Sequence, residues 1–512
     1  MGQLKITYEK VLDILTKNNL LVEHNITNLH EEIEFISHDS RNIVKNTLFF
    51  CKGELFKEEY LLDAIKKGAV CYDSEEKYDL QGYDCKYIIV NDILRSIALI
   101  APMYYDYPYE KINIVGITGT KGKTTVAYFL RNILDEFTNS KTGLISSIDT
   151  YTGVRNDESH NSTPEPCDLQ QFFHEVKESG INWLTMEVTS QAYKRDRVHG
   201  ITFGNGIFLN IAEDHISPAE HEDFEDYLNC KLEFMKNCSN IVINRETDCF
   251  DRVLEAAQSS PTLKQISFYG SEKVKDNCDY YYSGIKKENE DLTFYIRNDK
   301  INYCEKFAIK TYGLFNVENA AAVVAMCRTL GVDDGSIRKG LLKTEIPGRM
   351  NIFENNGVTV IVDYAHNLLS FTKVYESLKF DYPGRKIISV GGAPGGKAFR
   401  RRKDFADVVG KSSDYIYLTA EDPQFEDVTM ICKELAGYMP DTPCEIIPDR
   451  KEAVTKAIIE AEPGDVVVLL AKGGENYQKV KGKWEFYESD LTIAQNVLFS
   501  EKPEEYREAV SG

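Results

Sequence analysis

Apolar and polar positions form two kinds of run along this chain. Short apolar runs such as TLFFCKG, KINIVGIT, WLTMEV and GDVVVLLAKG have the length and the β-branched content of buried strands. Longer stretches such as EEYLLDAIKKG and TTVAYFLRNILDEF carry apolar residues at helical spacing. Strand and helix patterns alternate over most of the chain, which predicts an α/β protein with covered, largely parallel sheets.

Breaks in this pattern predict three domains, as a chain of 512 residues also suggests. Residues 1–108 form a small α/β domain that ends in the linker-like segment DYPYE. Residues 109–346 form a larger α/β domain, in which DYYYSGIKKENEDLTFYIRN is an antiparallel hairpin appended to the sheet. Residues 347–512 form a third, Rossmann-like α/β domain with a parallel or mostly parallel sheet.

The composition narrows the class of protein. With 42% hydrophobic and 28% charged residues, no secretory signal pattern and no membrane-length apolar run, we expect a cytoplasmic chain without membrane insertion. The twelve cysteines contain no C-x-x-C pair, so neither a zinc site nor a disulfide framework is indicated. A net charge of −21 opposes nucleic-acid binding, and an anionic substrate would need a local basic pocket.

A glycine-rich turn lies between a predicted strand and a predicted helix. It reads Gly116-Ile-Thr-Gly119-Thr-Lys-Gly122-Lys123-Thr-Thr125, a spacing of G-x-x-G-x-x-G-K-T-T. Backbone N–H groups in such a turn, together with a helix N-terminus, can cradle phosphates, while the lysine neutralises charge and a threonine ligates Mg²⁺. The turn predicts ATP binding by Gly119, Thr120, Lys121, Gly122, Lys123, Thr124 and Thr125.

This turn resembles the G-T-x-G-K-T-T loop of the Mur ligases, and further motifs follow in the family's order. They include Asp39-Ser40-Arg41, Asn210-Ile-Ala-Glu-Asp-His215, Tyr227-Leu-Asn-Cys-Lys231 and Asp363-Tyr-Ala-His366. The resemblance covers nearly the whole chain. It is strongest to the branch that adds the third stem-peptide residue to UDP-MurNAc-L-Ala-D-Glu.

The resemblance implies a role for each matching residue. The catalytic residues would be Lys123, Glu187, His215 and Lys231, and the expected magnesium ligands are Thr124, Glu187, His215 and a carbamylated Lys231. Further ATP contacts would come from Asn316, Asn319, Arg349 and Asp363. The UDP-linked substrate would be held by Ser40, Ser162, Thr163, Ser190 and Arg197.

The incoming amino acid is expected in the third domain. Glu421-Asp-Pro-Gln424 stands where the diaminopimelate-adding enzymes have Asp-Asn-Pro-Arg, and a neutral glutamine cannot form the charge-assisted pair that arginine forms with a distal carboxylate. Together with Gly-Ala-Pro-Gly-x-Lys, this segment resembles the lysine-adding branch. Adjacent acids would also attract the terminal ammonium group of lysine. The implied contacts are Lys397, Glu421, Asp422, Pro423, Gln424, Gly473 and Glu475.

The implied activity is ATP-dependent ligation of L-lysine to the D-Glu side-chain carboxylate through an acyl phosphate, with ATP and Mg²⁺ as cofactors and the chain acting as a monomer. Three alternatives stay open. The amine could be meso-diaminopimelate or another diamino acid such as ornithine, or the chain could be a non-catalytic nucleotide-binding paralogue. A folylpolyglutamate synthase-type ligase shares the ATPase design, but over 100 residues precede the loop here.

Overall fold

The computed structural model describes residues 4–53, 56–159, 161–214, 216, 220–289, 291–310 and 313–500. Within them the predicted α/β class is confirmed, with three successive groups of strands and helices, each built around its own sheet. None of the described helices combines the length and apolar character that crossing a bilayer requires.

The N-terminal group, the first domain, is a five-stranded sheet in the order β2-β7-β6-β5-β4 with helices against it. The strands β4 to β7 are parallel and β2 joins the edge antiparallel. Its elements are β1 (Ile6–Thr7), α1 (Tyr8–Lys17), β2 (Leu21–His24), β3 (Glu32–Ile33), β4 (Phe35–Ser37), β5 (Thr47–Phe50), α2 (Glu58–Lys67), β6 (Ala69–Ser74), β7 (Lys86–Val90) and α3 (Ile93–Tyr104). The predicted linker that follows contributes to a short 3₁₀ helix, Pro108–Lys111.

The second group, the central domain, forms an eleven-stranded sheet in the order β11-β10-β9-β12-β8-β13-β14-β15-β16-β17-β18. The middle strands, from β9 through β12, β8, β13, β14 and β15 to β16, are parallel, and both ends are antiparallel. The first half comprises β8 (Asn113–Thr118), α4 (Lys123–Thr138), β9 (Gly143–Ile145), β10 (Asp149–Tyr151), β11 (Asn156–Glu158), α5 (Pro166–Glu178), β12 (Trp183–Glu187), α6 (Ser190–Lys194) and β13 (Phe203–Phe208). The second half comprises α7 (Phe224–Lys236), β14 (Cys238–Asn244), α8 (Phe250–Gln258), β15 (Gln265–Ser271), β16 (Tyr280–Glu288), β17 (Asp291–Asn298), β18 (Tyr303–Ile309), α9 (Leu314–Thr329) and α10 (Asp334–Lys343).

The predicted hairpin is the antiparallel pair β16 and β17, so that prediction is confirmed. The strands of this domain read as almost continuous apolar runs because helices cover both faces of the sheet. Ile114 packs with α5 and α7 on one face, whereas the next residue, Val115, packs with α4 and α9 on the other.

The third group, the C-terminal domain, is a six-stranded sheet in the order β19-β20-β24-β21-β22-β23. It is parallel except for the edge strand β19, as the sequence predicted for a mostly parallel sheet. Its elements are β19 (Asn351–Asn355), β20 (Val358–Val362), α11 (Leu368–Asp381), β21 (Ile387–Gly391), α12 (Arg400–Phe405) with a π-helical turn after it, β22 (Tyr415–Leu418), α13 (Val428–Tyr438), β23 (Cys444–Ile446), α14 (Arg450–Ile459), β24 (Val466–Leu469), β25 (Tyr477–Val480), β26 (Lys483–Phe486) and α15 (Asp490–Leu498).

Helix α10 lies almost backbone to backbone against α4, and Gly340 is the point of closest approach. A Cβ atom on Gly340 would lie 2.5 Å from Cα and 2.6 Å from the backbone nitrogen of Ile133. Backbone atoms cannot rotate away as a side chain can, so even one methyl group forces the two helices apart.

We therefore expect Gly340→Ala to lower stability by about 1–3 kcal/mol, although alanine is the better helix former. The matched control is Gly437→Ala in α13, where an added Cβ meets no atom within 4 Å. It should leave the melting temperature unchanged or raise it, since alanine favours a helix by up to about 1 kcal/mol over glycine. Thermal unfolding of both variants checks this, and equal melting temperatures would contradict the packing argument.

Candidate active site

Three neighbouring parallel strands of the central sheet end at one edge. Strand β8 ends at Thr118, between β12, which ends at Glu187, and β13, which ends at Phe208. Because parallel strands run in the same direction, the loops that follow them emerge together. The glycine-rich turn after β8 is thereby brought beside Glu187, and the backbone N–H of Thr120 donates to the carbonyl of Asn210 at 2.9 Å.

The glycine-rich turn leads directly into α4, which begins at Lys123. The ammonium of Lys123 donates to the carbonyl oxygens of Gly119 at 2.9 Å and Thr120 at 3.2 Å. Gly122 has φ +92°, and a Cβ atom there would lie 2.4 Å from Oδ1 of Asn319. Only a glycine at this position therefore lets the turn approach Asn319, one of the residues predicted to contact ATP. The N-terminal N–H groups of α4 lie at this turn and can donate hydrogen bonds to a phosphate.

Thr124 and Glu187 form a buried oxygen-rich contact behind the turn. The Thr124 hydroxyl donates to Oε1 of Glu187 at 2.8 Å, and the backbone N–H of Ser147 donates to the same oxygen at 2.7 Å. Hydroxyl and carboxylate oxygens are the ligands that Mg²⁺ prefers, so this pair fits a magnesium ion beside a bound phosphate. Of the two other predicted ligands, Lys231 is described below and His215 lies outside the described residues.

Lys231 is almost completely buried, with a relative exposure of 2%. Its Nζ donates to the carbonyl of Gly119 at 2.9 Å and lies 4.8 Å from the ring centre of Tyr227. Burial, reinforced by the nearby charge of Lys123, holds the pKa of Lys231 well below that of an ordinary lysine. A neutral amine keeps the lone pair that carbamate formation with CO₂ requires, so the environment fits the carbamylation that the family resemblance implies.

The C-terminal domain supplies the opposite wall. The Arg349 guanidinium stacks 4.2 Å from the ring centre of Tyr364. Asp363 accepts hydrogen bonds from the backbone N–H groups of Met350 and Ala365, each at 2.8 Å. Burial raises the pKa of Asp363, while the charge of Arg349 opposes that rise.

Asp214 joins the two walls. Its carboxylate accepts from the Asn367 side chain at 2.5 Å and forms ion pairs with Lys121 at 3.4 Å and Arg401 at 3.3 Å. Burial lowers the pKa of Lys121 to about 8, although Asp214 opposes the shift. Lys121 also lies 3.2 Å from Nε2 of His366, so the glycine-rich turn contacts the C-terminal domain directly.

At the far end of the same space, Arg197 is held by the neighbouring backbone and by a carboxylate. It donates to the carbonyl of Thr163 at 2.9 Å and pairs with Glu165 at 2.6 Å. Glu165 also pairs with Lys52 of the first domain. This half-buried triad therefore connects the first domain to the central one.

These groups surround a single cleft of about 420 Å³. The predicted residues in its walls are Thr120, Lys121, Gly122, Lys123, Thr124, Thr125, Ser162, Thr163, Glu187, Ser190, Arg197, Lys231, Asn316, Asn319, Arg349 and Asp363. Residues predicted for the nucleotide and residues predicted for the substrate, which are spread between positions 120 and 363, thus line one common cleft.

Other cleft residues were not predicted from the sequence. Ser147 follows β9 at the same edge of the sheet, a position that a search of strand ends would have found. Phe315 and Lys373 come from α9 and α11 and enter the cleft only because the C-terminal domain packs there, with Lys373 pairing with Glu318 at 3.1 Å. No local sequence signal distinguishes them.

The predicted amino-acid residues lie beyond the Arg349 wall. Glu421 is buried, and burial raises its pKa to about 7, while the charge of Arg401 opposes the rise. Asp422 pairs with Lys472 at 3.1 Å, and Lys472 also pairs with Glu475 at 2.5 Å. Both acids that were predicted to attract an ammonium group therefore already face cations of the protein.

The remaining predicted residues also lie outside the large cleft. Gln424 donates its backbone N–H to the carbonyl of Lys479 at 2.9 Å, and the Ser40 carbonyl accepts from Lys67 at 2.9 Å in the first domain. Glu475 lines an adjoining cavity of about 360 Å³, which shares Ser147, Arg349 and Tyr364 with the large cleft. Besides Gln424, Ser40 and Glu475, the predicted residues in the described part of the chain that do not line the large cleft are Gly119, Lys397, which is exposed, Glu421, Asp422, Pro423 and Gly473.

Comparison with known proteins gives matches along the chain. Residues 117–327 match the Mur ligase middle domain, and residues 348–473 match the Mur ligase glutamate ligase domain. The UDP-N-acetylmuramoyl-L-alanyl-D-glutamate–L-lysine ligase of Streptococcus agalactiae serotype Ia is 38% identical, over 96% of this chain and 99% of that protein.

Solved structures share the fold. A UDP-N-acetylmuramoyl-L-alanyl-D-glutamate–2,6-diaminopimelate ligase superposes with a TM-score of 0.63 at 20% identity, covering 99% of both chains. The MurF ligase of Thermotoga maritima in complex with ADP superposes with a TM-score of 0.58 at 19% identity, covering 85% of this chain and 93% of that one.

The low pKa of Lys231 predicts a pH-dependent cost to stability. Between the lowered pKa of the folded chain and the ordinary pKa of lysine, the unfolded chain binds a proton at this amine and the folded chain does not, so stability rises with pH across that interval. We expect Lys231→Met to raise the melting temperature at pH 7 in CO₂-free buffer, by an amount that shrinks as pH rises toward 10. The Gly119 carbonyl keeps its bond from Lys123 in this variant.

Thermal melts from pH 7 to 10 make the measurement. Lys236→Met, on the exposed side of the same helix, is the matched control and should show no such pH-dependent gain. A lower melting temperature for Lys231→Met at pH 7 would mean that a charged, well-paired lysine had been removed.

Proposed function

Because this chain belongs to the Mur ligase family, we propose that it is an ATP-dependent amide ligase that adds L-lysine to UDP-MurNAc-L-Ala-D-Glu in peptidoglycan precursor synthesis. The observation that carries the proposal is the single cleft in which the glycine-rich turn, Glu187 and Lys231 face Arg197 on one side and Arg349 on the other. The full-length similarity to a lysine-adding ligase supports the choice of amine.

A carboxylate and an amine do not condense in water, so the carboxylate must first be activated. The γ-phosphoryl group of ATP is transferred to the side-chain carboxylate of D-Glu, which gives an acyl phosphate and ADP. The α-amine of lysine then attacks the acyl carbon, and the amide forms as phosphate leaves. Enclosure between two domains protects the acyl phosphate from hydrolysis.

The chain's own residues position the reactants. Lys123 and the N-terminus of α4 bind the phosphates, and the pair of Asp363 and Arg349 holds the nucleotide from the C-terminal domain. Arg197, fixed by Glu165, attracts the anionic substrate. These groups neutralise negative charge locally in a protein whose net charge is −21.

The buried pair of Thr124 and Glu187 would hold a magnesium ion, and the family resemblance assigns His215 and a carbamylated Lys231 to the same ion. When bound, it supplies positive charge that offsets the charge on the transferring phosphoryl group. Carbamylation would convert the Lys231 amine, a hydrogen-bond donor, into an anionic oxygen ligand of the kind that magnesium prefers.

Glu421, Asp422, Gln424 and Glu475 are assigned to the lysine side chain, in the region adjoining the cleft. Lys397, Pro423 and Gly473 complete that proposed subsite, and Ser40 is assigned to the uridine. We place the reaction in the cytoplasm, where ATP and UDP-linked precursors are available, with the chain acting as a monomer.

The direct test is phosphate release by the purified protein with ATP, Mg²⁺ and UDP-MurNAc-L-Ala-D-Glu. L-Lysine, L-ornithine and meso-diaminopimelate are compared, and products are identified by mass. We expect lysine-dependent release with formation of the tripeptide. A preference for diaminopimelate would overturn the assigned amine, and no turnover with any amine would favour a non-catalytic nucleotide-binding role.

The neutral side chain at position 424 predicts a change of amine specificity on substitution. Gln424→Arg supplies a guanidinium that can pair with the distal carboxylate of meso-diaminopimelate, and hydrogen bonds to charged groups contribute about 1.5–3 kcal/mol. We expect kcat/KM for diaminopimelate relative to lysine to rise at least about tenfold.

The matched control is Gln424→Met, which has similar length and no charge and should leave the ratio unchanged. Competition between the two amines, read by mass, measures the ratio directly. An unchanged ratio in Gln424→Arg would place the amine's distal end elsewhere.

A further inference from the structure

Ser190 in the cleft wall is the first member of a buried hydrogen-bonded chain. Its hydroxyl lies 2.9 Å from Nε2 of His221, and Nδ1 of the same ring lies 2.9 Å from Oδ2 of Asp226. His221 has no solvent exposure, and Ser190 is buried except where it lines the cleft. The residues come from α6, from the segment before α7, and from the first turn of α7, so only the packing of these helices brings them together.

The arrangement suits a hydrogen-bonded chain that orients Ser190 better than it suits a metal site. His221, Asp226 and Cys230 lie within metal-ligand distance of one another. However, the ammonium of Lys194 already pairs with Asp226 at 2.8 Å and would repel a divalent cation. Burial raises the pKa of Cys230 to about 11, so its sulfur stays a protonated thiol and a poor ligand.

The charge state of the Asp226 carboxylate determines which atoms donate in the hydrogen bonds between Asp226, His221 and Ser190. Although burial opposes it, hydrogen bonds from Lys194 and His221 keep the pKa of Asp226 low, so Asp226 is ionised and can only accept. Nδ1 of His221 therefore carries a proton. In a neutral imidazole Nε2 then has only a lone pair, and the Ser190 hydroxyl must donate to it.

Because the Ser190 hydroxyl donates its proton to His221, only the lone pairs of its oxygen face the cleft. We propose that His221 and Asp226 are positioning residues that orient Ser190 as a hydrogen-bond acceptor for an N–H group in the peptidyl part of the nucleotide-linked substrate. This inference rests on the proposed function and extends it to two residues that do not line the cleft. Without His221, the hydroxyl rotates freely, and part of its population points a proton at the substrate donor.

The kinetic test uses Ser190→Ala, His221→Phe and the double variant. Phenylalanine keeps the aromatic contact of His221 with Tyr227, whose ring centres lie 5.2 Å apart, and removes both ring nitrogens. Each single variant should raise KM for UDP-MurNAc-L-Ala-D-Glu about 3- to 10-fold, as expected for one lost hydrogen bond, with KM for ATP unchanged. The KM of the double variant should not exceed the higher KM of the two single variants, because His221 and Asp226 act on the substrate only through Ser190.

His174→Phe is the matched control, a histidine on α5 that does not line the cleft, and it should leave both KM values unchanged. The inference would be overturned by a wild-type KM in His221→Phe. It would also be overturned if the fold-change in KM of the double variant equalled the product of the two single fold-changes.

A second measurement does not depend on turnover. In protein labelled with ¹⁵N-histidine, the resonances that vanish in His221→Phe should show a protonated Nδ1 and an unprotonated Nε2 at neutral pH. A proton on Nε2 would overturn the inference even in an active enzyme. If the ring has the expected tautomer but the wild type has no ligase activity, the proposed function fails while the hydrogen-bonded chain stands.

Discussion

The ion pairs and hydrogen bond of Asp214 are the junction on which the site depends. One buried carboxylate receives Lys121 from the glycine-rich turn and both Asn367 and Arg401 from the C-terminal domain. Breaking such a buried arrangement is costly, since it would leave Lys121 and Arg401 without their counter-charge. This contact therefore helps to fix the glycine-rich turn relative to the Arg349 wall and the adjoining cavity, together with the Lys373–Glu318 pair.

The cleft concentrates positive charge in an acidic protein, and the concentration has a physical cost. Lys121, Lys123 and Lys231 are all buried near one another, and burial lowers the pKa of each. Asp214 opposes this fall for all three lysines and Glu187 opposes it for Lys123, yet the pKa of Lys231 still lies well below that of an ordinary lysine. Under the proposed function, this crowding of cations serves both phosphate binding and the carbamylation of Lys231, because each depends on the same buried positive charges.

The comparison of predicted and observed residues separates two kinds of information. The glycine-rich turn could be predicted from a local pattern, a turn between an apolar strand and a helix, whereas Glu187 and the Asp363 segment were predicted because they match short motifs of the family that the chain resembles. The hydrogen-bonded chain of Ser190, His221 and Asp226 could not be predicted, because Ser190 and His221 are 31 residues apart and belong to no common motif.

The amino-acid segment shows the same division. The absence of arginine at position 424 is plain in the sequence, but nothing local indicates that Lys472 pairs with Asp422 or that Arg401 faces Glu421. By itself the sequence determined the α/β class, the order of strands and helices, the phosphate-binding turn and the family, because these depend on periodicity and on short motifs. Only the tertiary structure decided which distant side chains share the cleft and which charges are neutralised, because burial and through-space contact set those properties.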